Sequence, residues 1–95
     1  MPEMRFRIRW PDHSTETCYS PSLVIKDYFS VGADYRIADF LARSRTALNI
    51  ASERVRAKHG MPCSRALAQL ARIEAAAAAF TDVSDARVTV DGFDE

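Results

Sequence analysis

Met4-Arg5-Phe6-Arg7-Ile8-Arg9-Trp10 alternates without a break. Met4, Phe6, Ile8 and Trp10 fall on one side of an extended chain, and Arg5, Arg7 and Arg9 on the other. A period of two marks a strand with one buried and one solvated face. Pro11-Asp12-His13-Ser14 is a turn cluster, so Thr15–Tyr19 is expected to return antiparallel as a hairpin. A lone hairpin is marginal in water, so a further strand is needed. Ala86–Asp91 supplies it, with Val88 and Val90 on one side and Arg87, Thr89 and Asp91 on the other.

The hairpin's second strand runs into Cys18-Tyr19-Ser20-Pro21-Ser22-Leu23-Val24-Ile25-Lys26-Asp27-Tyr28. Ser20 is expected as a helix N-cap, with Pro21 at the first helical position, where a missing N–H costs nothing. Tyr19 would staple on Val24. This places a short apolar helix at about 21–29, although Leu23–Ile25 also suits a prolonged strand. Gly32 closes the element.

The longest signal follows. Ile37, Phe40, Leu41, Ser44, Leu48, Ala51 and Val55 recur at helical spacing. Asp39 suits the positive end of the helix dipole and Lys58 the negative end, and Gly60 stands where a C′ glycine belongs. The spacing predicts a helix over 38–58. Its back carries Arg43, Ile50, Arg54 and Ala57. Pro62 stops it, and Ser64 or Cys63 is expected to cap a third helix ending near Phe80. That helix has Leu67, Leu70, Ile73, Ala77 and Phe80 on its apolar face. The alanines from Ala75 to Ala79 reflect helix propensity.

The order is β-β-α-α-α-β. Strands and helices segregated in this way predict an α+β fold. The expected form is a small three-stranded, mainly antiparallel sheet packed on one long and two shorter helices. Residues 1–95 are expected to form a single domain, with 92–95 frayed.

Composition bounds the function. With 47% hydrophobic and 27% charged residues, the 95-residue chain has enough apolar surface to fold. No run approaches the roughly 20 apolar residues of a membrane span. The amino terminus lacks a hydrophobic signal core, which predicts a cytoplasmic protein with no membrane partner. Cys18 and Cys63 do not make a disulfide framework. Net charge is zero but uneven. Residues 36–72 carry eight basic groups against Asp39 and Glu53, a net +6, and residues 73–95 carry Arg87 against six acids, a net −5. The two blocks either neutralise each other in the fold or leave the basic helices for an acidic partner.

No catalytic set emerges. His13, Cys18, His59 and Cys63 lack the tight pairing of zinc ligands, so no metal or other cofactor is expected. Cys18 beside a helix N-terminus is a candidate reactive thiol, against the blander reading of a buried cysteine on a strand. Tyr19, Ser20 and Ser22 at the same junction are candidate anion ligands, against ordinary capping. The Arg5, Arg7 and Arg9 ladder, expected near Glu16 and the Arg87 or Asp91 row, suits a carboxylate, phosphate or nucleic acid backbone, against a solvated face with cross-strand charge pairs. The two long helices resemble a helix-turn-helix in outline. Neutrality, the acidic tail and arginines spread around both helices argue against nucleic acid. Arg43, Ile50, Arg54 and Ala57 form a candidate partner interface, and small size favours a homodimer.

Three stretches carry a family resemblance. They are Met4–Phe6 with Arg9–Asp12, the Cys18–Tyr28 block, and Ser44–Leu48 through Ala51–Arg56. They resemble small bacterial nitrogen starvation response proteins of the nitrilase gene cluster. That cluster also holds a radical-SAM protein, an acetyltransferase-like protein, an AIR-synthase-like protein and a flavoprotein. The resemblance implies a role beside nitrile or cyanide nitrogen assimilation, with the other cluster products as partners. It supplies no catalytic residue.

Three functional expectations follow: a non-enzymatic accessory or interaction protein, a small-ligand or anion-binding module at Ser20–Ser22, and a thiol-dependent enzyme using Cys18.

Overall fold

The computed structural model describes residues 2–95. The elements are β1 (Met4–Arg9), β2 (Thr15–Ser20), α1 (Ile25–Tyr28), β3 (Asp34–Arg36), α2 (Ile37–His59), α3 (Ser64–Ala77) and β4 (Arg87–Asp94), with a 3-10 turn at Ala78–Phe80. The α+β class is as expected, but the sheet has four strands rather than three, in the order β2-β1-β4-β3, all antiparallel.

The additional strand, β3, is three residues long and passes into α2 without a loop. Asp34-Tyr35-Arg36 has no apolar alternation, so nothing in its sequence marks a strand. Its partner forms it. Gly32 N–H donates to the Val90 carbonyl at 2.8 Å, Val90 N–H to the Ala33 carbonyl at 3.0 Å, and Ile37 N–H to the Ala86 carbonyl at 3.2 Å. Gly32 supplies the turn with φ 86°.

β4 is longer than its alternation suggests. Ile8 pairs with Val90 but Arg7 with Gly92, so Asp91 is the extra residue of a β-bulge. Past the bulge the pattern resets, and Phe93 lies opposite Phe6. Residues 92–94 are therefore paired strand, not a frayed end. Arg7 crosses the strand over Gly92, where a Cβ would meet the Arg7 guanidinium and push that half-exposed side chain aside.

The Ser20–Tyr28 segment also corrects the sequence reading. α1 is a single turn starting at Ile25, and β2 continues through Ser20. Ser20 does not cap it. Ser20 Oγ donates to the Ser22 carbonyl at 2.7 Å and accepts from Ser22 N–H at 3.2 Å, while Ser22 Oγ accepts from Val24 N–H at 3.3 Å. Serine side chains bonding backbone two residues away stabilise a bend in place of a helix start. Tyr19 does not staple on Val24. Its ring lies under Arg65, with Cζ 3.9 Å from the ring centroid.

α2 exceeds the predicted span by one residue at each end and closes at Gly60 (φ 83°), whose N–H donates to the Arg56 carbonyl at 2.7 Å. Neither Cys63 nor Ser64 caps α3 through its side chain. Ser52 Oγ instead accepts from Cys63 N–H at 3.1 Å. Both long helices lie on one side of the sheet. They cover Met4, Phe6, Ile8, Trp10, Val88 and Val90, which join Phe40, Leu48 and Ile73 in one core. Trp10 packs edge-on to Phe40 and stacks on Phe80 at 5.9 Å. Each such side chain contributes about 1.5–3 kcal/mol through burial. Leu67 is not part of the apolar face and is 41% exposed.

Candidate functional site

The residues singled out around the Cys18–Ser22 junction occupy one region, but most point inward. Ser20 and Ser22 are fully buried, and their hydroxyls are used within the bend. Ser22 Oγ also accepts from Arg54 Nη1 at 2.8 Å, which joins a candidate ligand residue to a candidate interface residue. An anion site at a helix start does not form here, since α1 is one turn long and begins five residues past Ser20.

Cys18 lies on the inner face of β2 with no exposed surface. Burial, and then the nearby Glu16 carboxylate, push its thiol from 9.0 up to about 12. At neutral pH it is a protonated thiol out of reach of solvent. The thiol-nucleophile reading therefore fails on access and on ionisation. Tyr19 is half-buried, and desolvation followed by a hydrogen bond with Glu3 raises its phenol above the ordinary range. Its backbone N–H donates to Gln69 Oε1 at 3.0 Å, so α3 covers part of the open edge of β2.

The arginine ladder projects from the outer face of the sheet. Arg7 Nε meets Asp94 at 3.1 Å, Arg9 meets Asp91 at 3.2 Å, and Arg5 lies 5.7 Å from the Tyr19 ring centroid. Glu16 borders one groove with Arg7 and Arg9, but its carboxylate does not pair with the ladder. It pairs with Ile8, an inward residue, and so faces the helices, where it accepts from Trp10 Nε1 at 3.1 Å and meets Arg72 at 3.1 Å.

The back of α2 is partly covered by the chain's own loop. Arg43 meets Asp39 at 3.1 Å, donates to the Tyr28 carbonyl at 2.8 Å and lies 5.0 Å from the Tyr35 ring centroid. Arg54 is tied to Ser22, Ile50 is half-buried and Ala57 is exposed. Two arginines expected to face a partner therefore fasten residues 22–28 to α2.

Two ion pairs join the charge blocks directly, Arg45–Glu74 and Arg36–Asp85, while the other paired acids of the tail meet basic groups outside residues 36–72. Acids of the carboxy-terminal region pair with Arg45 (Glu74), Arg36 and Arg87 (Asp85), Arg9 (Asp91), Arg7 (Asp94) and Lys26 (Glu95). Each exposed pair is worth about 0–1 kcal/mol, so these set surface potential more than stability.

Two clefts flank the loop at 81–86. One, of about 530 Å³, lies between that loop and the start of α2, with Ile37, Leu41 and Phe80 among its lining. The other, of about 430 Å³, lies between the loop and the β1–β2 turn and is lined by Arg9, His13, Arg87 and Thr89 among others. Of these charged residues only Arg9 was singled out from sequence as an anion ligand. The cleft joins segments more than 70 positions apart, so no local pattern marks it. Among the described residues, no group of three or more His, Cys, Asp or Glu is placed to hold a metal ion. Among them, no helix is long and apolar enough to cross a membrane.

The architecture defines a small α+β protein with helices on one face of an antiparallel sheet and a charged opposite face. The family model of the nitrogen starvation-induced protein NitG matches residues 5–93, and the chain belongs to that family. No curated protein and no solved structure matches it.

Proposed function

We propose that this NitG-family member is a non-enzymatic accessory protein of the nitrogen starvation response, acting in the cytoplasm by contact with other products of the nitrilase gene cluster. On this reading the nitrogen supplied comes from nitriles or cyanide. The observation that carries the interaction role is the end of the α2–α3 hairpin. Met61 is 73% exposed there, and Leu67, on the first turn of α3, is 41% exposed. Single exposed apolar residues are ordinary. Here two of the four large exposed hydrophobics among the described residues lie six positions apart, at the α2–α3 connection and the first turn of α3.

Native mass of the purified chain, alone and mixed with each of its cluster neighbours, tests this reading. A stable complex weakened by Met61→Asp supports it. A mass unchanged in every mixture contradicts it. The same measurement on the chain alone reads out a homodimer.

A further inference from the structure

Four described residues have positive φ. Two are glycines, Gly32 and Gly60, which adopt that conformation without strain. The other two are His13 (φ 72°) and Asp85 (φ 54°), and both line the same 430 Å³ cleft. Left-handed backbone is uncommon in a residue with a side chain, though least so in His, Asp and Asn, and such residues cluster at functional sites.

His13 shows this most clearly. Its N–H donates to the Trp10 carbonyl at 2.8 Å, closing a turn with Pro11 in second place, and Trp10 N–H donates to the Ser14 carbonyl at 2.8 Å. In a hairpin of this form the residue after the turn is left-handed and favours glycine. This chain places a histidine there instead, and it is part of the cleft lining.

Two arginines, Arg9 and Arg87, stand in the cleft lining against one acid, Asp85. Arg9 and Thr89 are cross-strand partners on the outer face of the sheet, and Arg87 lies two residues from Thr89 on that face. His13 joins the lining from the β1–β2 turn. Asp85 is the one acid in the lining, and it is engaged by Arg87 at 3.2 Å and Arg36 at 3.5 Å, while Arg87 also meets Asp34 at 3.8 Å. Arg9 is paired to Asp91, but a guanidinium has five N–H donors, so a single carboxylate leaves several free. Both arginine side chains are between a third and a half exposed and open to solvent.

We propose that this cleft binds a phosphate group, with Arg9, Arg87 and His13 as charged or polar donors and the Thr89 hydroxyl beside them. Donors arriving from two strands and a turn suit a tetrahedral oxyanion better than a planar carboxylate, which presents two oxygens in one plane. The cleft volume leaves room for a phosphorylated small molecule as well as free phosphate. The site stands independently of the partner contact proposed above.

The strained residue gives the test its form. Inorganic phosphate and glycerol phosphate are titrated against the full chain, with acetate and chloride as controls, while amide NMR shifts and the melting temperature are followed. The expected result is saturable shifts centred on His13, Arg87 and Thr89. Tighter binding of glycerol phosphate assigns a phosphorylated metabolite, and equal binding assigns free phosphate. His13→Gly is expected to melt higher than the parent without phosphate, yet to bind phosphate at least tenfold more weakly. Arg9→Gln, on a surface position, is expected to weaken binding while melting as the parent does. Shifts centred elsewhere, acetate binding as tightly as phosphate, undiminished binding by His13→Gly, or a lower melting temperature for that variant would each overturn the proposal.

Discussion

The two faces of the sheet are built from the same strands and obey different rules. On the inner face, Phe6, Ile8, Val88 and Val90 have no exposed surface and lock into the helices. On the outer face, Arg7, Arg9, Asp91 and Asp94 make pairs whose side chains keep a quarter or more of their surface in water. Apolar burial is cumulative and close-packed, so the inner face fixes the fold. Exposed ion pairs are screened and individually weak, so the outer face is free to carry recognition.

The comparison breaks first, and hardest, at Phe40. This side chain is fully buried, with ring centroids 5.7 Å from Trp10 and 5.4 Å from Phe29. Phe40→Ala is expected to cost about 3–5 kcal/mol in urea unfolding, since the cavity adds to the lost transfer energy. A cost below about 1 kcal/mol would mean that α2 does not seal the sheet.

Alkaline pH sharpens the contrast on the inner face. The folded state raises the Cys18 thiol from 9.0 to about 12. The unfolded chain therefore loses this proton near pH 9 while the native state keeps it. The stabilisation is complete below pH 9 and lost as pH rises from 9 towards 12. The parent is expected to lose stability over that window faster than Cys18→Val does. Parallel curves for the two would show that the thiol is not enclosed.

The smallest effect belongs to the outer face. Gly92→Ala places a Cβ 2.7 Å from Arg7 Cζ, but that side chain is half-exposed and can swing away at the loss of its Asp94 pair. The expected loss is about 1 kcal/mol or less, and it should shrink in an Arg7→Ala background. A loss as large as that at Phe40 would erase the distinction between the faces.

What the sequence disclosed follows the same division. The inner face announced itself, because Met4–Trp10 and the Ile37–Val55 stripe have unbroken periods. β3 did not, because three polar-flanked residues become a strand only by pairing with β4. The bulge at Asp91 hid the end of β4 by placing Val90 and Phe93 on one side across an odd interval. The Ser20 reading failed because a serine before proline serves a bend as readily as a cap. Arg9 was legible as one of a ladder with the Arg87 or Asp91 row beside it, whereas His13 joins them only through tertiary structure.

The account rests on β4 being an inner strand, flanked by β1 and β3, so that the end of the chain lies at the centre of the sheet. Native-state hydrogen exchange tests this directly. The Val90 amide, bonded to the Ala33 carbonyl at 3.0 Å, is expected to exchange only through global unfolding, far more slowly than the Thr17 amide on the edge strand β2. Exchange at Val90 as fast as at Thr17 would contradict the topology.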